Sequence, residues 1–198
     1  MEKILKTIRY FTLVILSASV LGCVSMIKPG YLPVSDGGNI RQYPWFTIQV
    51  PEGEGWYQIP RQDYSIHFGR DTKKEYHTFL ISAIPTEVKG DWKNPTEFMV
   101  EMKKQKDLDS SRFKILENNF TLDNRFGEYC FRYYTKGEGQ DAKGQFLIME
   151  MNGYGILHPS IPGVYLDVNY SERYLTSDTP MADLSEAGKK FIDNFHPV

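Results

Sequence analysis

"QFLIMEM", residues 145–151, carries an apolar side chain at almost every position. A strand with one wet face alternates apolar and polar residues, because successive side chains point to opposite sides. This stretch does not alternate, so something must cover both sides of its centre. Two segments read as helices, and they are available to do so. Asn94-Pro95-Thr96-Glu97 is a helix start, in which Asn94 accepts orphan N–H groups, Pro95 suits the first turn and Glu97 closes a capping box. Phe98 and Met102 then share one face, and the helix should run to about Leu108. Near the end of the chain, Thr179 reads as a cap and Pro180 as the first helical residue. Leu184, Ala187, Phe191 and Phe195 form that helix's apolar stripe.

The remaining elements read as strands. "WFTIQV" (45–50) alternates and stops at Pro51, and "WYQI" (56–59) is short enough for an edge. "YSIHFG" (64–69) and "YHTFLISAI" (76–84) should form a hairpin. "FKILENNFTL" (113–122) and "RFGEYCFRYY" (125–134) should form another, closed at Asp123-Asn124. "GEGQDAKG" (137–144) reads as a loop. "GVYLDVNY" (163–170) predicts Val164, Leu166, Val168 and Tyr170 inward, with Tyr165, Asp167 and Asn169 outward. Hairpin-length connections favour antiparallel pairing. The expected fold class is therefore α+β, a twisted, mostly antiparallel sheet flanked by two main helices.

The chain has 198 residues, 41% hydrophobic and 24% charged, with a formal net charge of −2. That suits one domain, two at most. The balance gives no hint of nucleic acid, whose partners usually cluster Lys and Arg. Lys103-Lys104-Gln105-Lys106 reads as the wet face of the first helix.

The opening segment has its own chemistry. "MEKILKTIR" (1–9) is basic, about a dozen mostly apolar residues follow, and Val20-Leu21-Gly22-Cys23 closes the run. The apolar part falls short of the roughly 20 residues that a spanning helix needs. Basic start and short apolar middle make a secretory signal. The ending resembles the bacterial lipobox through Val20, Gly22 and Cys23, with Leu21 departing from the usual small residue. The resemblance implies cleavage between Gly22 and Cys23 and attachment of diacylglycerol to the Cys23 thiol. Several acyl chains anchor a protein far better than one. An uncleaved signal anchor, or a free cysteine ending an apolar run, are the alternatives. Val24, rather than Asp, favours the outer membrane in a Gram-negative cell. Loss of residues 1–22 removes Lys3, Lys6, Arg9 and Glu2, which leaves the formal charge near −4. So the lipid, not charge, would hold the protein at the membrane.

The expected organisation is a signal peptide over 1–22, a lipidated, flexible tether over 23–44 and a single α+β domain over 45–198. Pro29-Gly30, Pro33, Asp36-Gly37-Gly38 and Pro44 supply the tether's breakers. "FTIQVPEGEGW", "PTEFMVEMKKQ" and "AGKKFIDNF" together resemble the PsbP-like family and the related DcrB-like lipoproteins. That resemblance implies an α/β/α sandwich used for binding or assembly, and it supplies no catalytic residue.

With Cys23 lipidated, Cys130 is left alone and no internal disulfide is expected; it reads as a buried thiol. His67 and His77 lie on neighbouring strands but should point to opposite faces, which denies them a shared metal. His158 and His196 show no metal-ligand spacing. Glu117, Glu128 and Arg132 would pair on one sheet face if the Asp123-Asn124 loop has two residues. Tyr129, Phe131 and Tyr133 should floor a helix, with a ligand-binding floor as the sharper alternative. No cofactor, metal ligand or catalytic residue is assigned. The function expected is that of a membrane-anchored bacterial lipoprotein whose extracytoplasmic domain binds an envelope partner or supports an assembly. The alternative is an envelope hydrolase or small-ligand enzyme.

Overall fold

The helix that Asn94 opens is α1, Pro95–Lys106. Asn94 Oδ1 accepts the Glu97 N–H at 2.9 Å. The Glu97 carboxylate reaches one residue further back than a capping box requires and takes the Lys93 N–H at 3.0 Å. The computed structural model describes residues 30–198 apart from positions 62, 107, 109 and 111. The Gly22-Cys23 cleavage and lipidation site lies outside the described residues.

An antiparallel sheet of eight strands dominates. Its strands are β1 (Leu32–Pro33), β4 (Trp56–Gln58), β5 (Ile66–Arg70), β6 (Thr78–Glu87), β7 (Phe113–Leu122), β8 (Cys130–Gln140), β9 (Phe146–Leu157) and β10 (Val164–Leu175). Their spatial order is β1-β4-β5-β6-β10-β9-β8-β7. A second sheet holds β2 (Ile40–Gln42), β3 (Phe46–Gln49) and β11 (His196–Pro197), with β3 in the middle. The second helix, α2, spans Ala182–Asp193.

The described part of the expected tether is not free. Leu32 and Pro33 pair with Gln58 and Tyr57, and Ile40–Gln42 pair with β3. Thus β1, not β4, is the edge, and sheet pairing begins well before residue 45.

Both expected hairpins form, with connections longer than tight turns. His67 pairs with Ser82 and Phe68 with Ile81, so the loop before β6 is longer than a tight turn. Leu122 pairs with Phe131, leaving seven residues between β7 and β8. Residues 137–140 continue β8 rather than forming a loop, and the turn falls at Asp141–Gly144.

Strand β9 runs past the quoted heptapeptide, through Gly153 and Gly155. A Cβ at Gly153 would meet the Tyr133 hydroxyl at 2.7 Å, and one at Gly155 the Phe131 ring at 2.2 Å. These glycines leave room for the rings of the next strand.

The doubly covered strand at the centre is β10. Tyr165, Asp167 and Asn169, expected outward, are 2%, 2% and 5% exposed. Their face lies beneath α1, where Phe98 packs against Phe131 and Tyr165. The opposite face, with Leu166, Val168 and Tyr170, joins Phe46, Ile48, Phe68, Phe191 and Phe195 in the larger core. There α2 lies so close that a Cβ at Gly188 would reach 2.3 Å from the Tyr170 ring. Thr179 does not cap α2. Met181 holds the cap position without a side-chain bond, and its own N–H goes to Glu172 Oε1 at 2.8 Å.

Candidate functional site

A cleft of about 710 Å³ opens where β4, β5 and β10 end beside the segment that precedes β1. Trp56, Arg70 and His77 line it, as do Tyr31 and Tyr57. Tyr31 stacks on Tyr57 with centroids 4.9 Å apart and planes 6° from parallel. Burial pushes the Tyr57 phenol above its ordinary pKa, helped by Tyr31 and Asp71, so it is a neutral donor.

Trp56 is fixed by its indole N–H, which donates to Glu52 O at 3.0 Å. The Arg70 guanidinium lies 5.3 Å above that ring. The turn before Trp56 needs glycine, because Gly53 and Gly55 have φ of 94° and 78°.

The loop between β5 and β6 forms another wall. Within it Lys73 and Tyr76 hold φ of 54° and 63°, an uncommon state for side chains of their size. The loop closes on itself through Asp71 Oδ1, which accepts the Lys73 N–H, and Thr72 Oγ1, which donates to His77 O at 2.7 Å.

His77 is buried, and its Nε2 lies 2.6 Å from Glu172 Oε1. The ring packs 5.9 Å from Tyr174. Its Nδ1 is buried and has no protein partner. A carboxylate on one ring nitrogen fixes the tautomer and leaves the other nitrogen free for chemistry. Nearby, Glu150 receives Tyr174 Oη at 2.5 Å and Lys136 Nζ at 2.9 Å. Burial opposes its ionisation, but these donors outweigh it and hold the carboxyl below the usual range.

The other sequence candidates take structural roles. His67 lies on the α1 side, with Nδ1 2.9 Å from Ser82 Oγ, while His77 faces the other side; the two are not brought together. His158 donates from Nε2 to Trp45 O at 2.9 Å and accepts the Ser160 and Ile161 N–H groups at Nδ1, which locks a loop. His196 pairs with Thr47 through β11. Cys130 is fully buried, and burial raises its thiol to about 12, so it stays protonated and inert.

Glu117 pairs with Lys136 and Arg132 with Thr121 across β7 and β8, whereas Glu128 sits in the longer loop and does not join them. Tyr129, Phe131 and Tyr133 do form a floor, and Phe98 fills the space above it. Among the described residues, no group of three His, Cys, Asp or Glu could hold a metal, and no helix is long and apolar enough to cross a membrane.

Sequence reasoning missed the cleft. Tyr31 falls within the expected tether, and His77 and Glu172 are 95 positions apart. The sequence-level sign was Gly53-Glu54-Gly55 ahead of an aromatic pair, an open turn beside Trp56 and Tyr57.

No protein-family model matches the chain, and no curated protein matches it.

Proposed function

We propose that this chain is a bacterial lipoprotein, joined to lipid through Cys23 after cleavage behind Gly22. Its extracytoplasmic domain binds an envelope partner or ligand, and the outer membrane is its destination in a Gram-negative cell. The observation that carries lipid attachment is the order of basic residues, a short apolar run and Gly22-Cys23. A helix on each face of an antiparallel sheet supports the likeness to PsbP-like domains. Labelled palmitate should enter the wild-type chain and vanish in Cys23→Ala; wild type without label overturns lipid attachment.

A second reading is favoured by one observation, the Glu172–His77 pair with an unpartnered ring nitrogen beside the cleft. An envelope hydrolase would use that nitrogen as general base. Turnover of chromogenic esters that disappears in His77→Gln would establish it, and a wild type inert to such esters removes it.

A further inference from the structure

We propose that the cleft is an anion site. Its ligand joins a phosphate or carboxylate to an apolar or aromatic group, and Arg70 is the residue that holds the anion.

A guanidinium taken partly out of water normally recovers its solvation from a carboxylate. Arg70 is half-buried, yet it has no carboxylate partner among the described residues. Its guanidinium carbon lies over the ring of Trp56, which is itself only 4% exposed. The fork is therefore pre-positioned, and its N–H edge remains to be satisfied. On one side the fork meets a turn whose nearest residues carry no side chain. Cβ atoms placed on Gly53 and Gly55 would lie 3.6 and 3.7 Å from Arg70 nitrogens, so the turn leaves its backbone beside the guanidinium.

The partnering of the charges in the walls points the same way. Three of the lining acids are committed: Asp71 accepts the Lys73 N–H, Asp141 accepts the Lys143 and Gln145 N–H groups, and Glu75 pairs with Lys143 at 3.7 Å; Glu54, on the exposed turn, has no such partner among the described residues. The side chains of Arg173 and Lys74, also in the walls, have no such partner among the described residues. The formal charges of the walls cancel, but the unpartnered cations Arg70, Lys74 and Arg173 outnumber the unpartnered carboxylate of Glu54. The stacked Tyr31 and Tyr57 rings, with Pro33, supply the apolar side of the cleft.

The placement of this ligand at a membrane rests on the lipid attachment proposed above. Tyr31 lies eight positions after Cys23. Eight residues span at most about 26–29 Å, so the cleft would be held within reach of the headgroups. The phosphate could then belong to a lipid or to a soluble molecule taken there.

The test is calorimetric titration of the full chain in neutral detergent micelles with phenyl phosphate. Wild type should bind. Arg70→Met should weaken binding by about tenfold or more, through loss of a bidentate charge-assisted contact. Arg173→Gln should weaken it less, and Lys104→Met, on α1 away from the cleft, should leave it unchanged. If Arg70→Met does not fold, Arg70→Lys keeps the charge without the fork and should show the same loss. Phosphatidylglycerol in the micelles identifies the source: competition marks a lipid headgroup, and unaltered binding marks a soluble ligand. Cys23→Ala should bind phenyl phosphate as wild type does, so failure of the lipid attachment would not mask the site. No heat with wild type, or equal affinity in the Arg70 variants, overturns the proposal.

Discussion

The two faces of the large sheet are closed in different ways. Beneath α2 and the small sheet the contacts are mostly apolar, with Phe46, Phe68, Phe191 and Phe195 in one core with Ile81 and Val168, and a buried carboxylate there, Glu172, stands at the start of α2 with His77 and the Met181 N–H. Beneath α1 the rings of Phe98, Phe131 and Tyr165 surround a buried charge. Asp167 pairs with Lys106 from the end of α1 and accepts the Tyr133 hydroxyl at 2.6 Å. Burial and the neighbouring Asp167 raise the Tyr133 phenol far above its ordinary range, so it remains a donor. A carboxylate with two required partners accepts one seating of its helix: Glu172 does this at the cap residue of α2 through backbone, and Asp167 does it at the last residue of α1 through a side-chain charge. The difference suggests that α2 supplies most of the burial energy and that the Lys106–Asp167–Tyr133 set fixes the position of α1.

The largest expected effect separates the faces by shape. Phe191→Ala leaves a cavity among rings that cannot collapse into it, and should lower unfolding free energy by about 3–5 kcal/mol. Urea denaturation measures this. A loss below about 1 kcal/mol would mean that α2 is not a principal cover.

Next comes the charged face. Lys106→Met strands the Asp167 carboxylate beneath α1. Breaking a fully buried pair costs about 3–5 kcal/mol, and because the Lys106 side chain keeps 15% exposure the loss should be nearer 2–3 kcal/mol. In the double variant Lys106→Met/Asp167→Leu much of that loss should return, since the stranded charge is gone. If the double variant is as unstable as the sum of its parts, the pair does not act as a unit.

The same contrast explains what could be read in advance. Helix α1 was legible because its signals are local: Asn94, Pro95 and Glu97 act within one turn, and Phe98 and Met102 within the next. The apolar face of β10 was legible from Val164, Leu166 and Val168. Its other face was not, because Asp167 looks like a solvated residue until Lys106 arrives from 61 positions away. Gly153 and Gly155 look like strand breakers, and only the neighbouring rings show that they make room. The cleft failed for a related reason: Tyr31 and Arg70 carry no local signal that they face one cavity, and their meeting depends on β1 pairing with β4.

The smallest effect tests the rim of the charged face. His67 sits on the α1 side, bonded to Ser82. Burial, and then the charge of Arg61, lower its pKa, while Asp63 and Asp167 act in the opposite sense. A histidine with a lowered native pKa binds fewer protons folded than unfolded. Its penalty is absent above the unfolded value of about 6.5 and grows as pH falls through that value toward the native one. Wild type should therefore lose more thermal stability between neutral pH and mildly acid pH than His67→Gln does. The side chain keeps some solvent contact, so the difference should be modest. Parallel melting curves of the two chains across that interval would show it. Curves that fall together would mean that His67 is protonated as easily in the folded chain as in the unfolded one, and that the polar character of this face ends at Asn169 and Ser82.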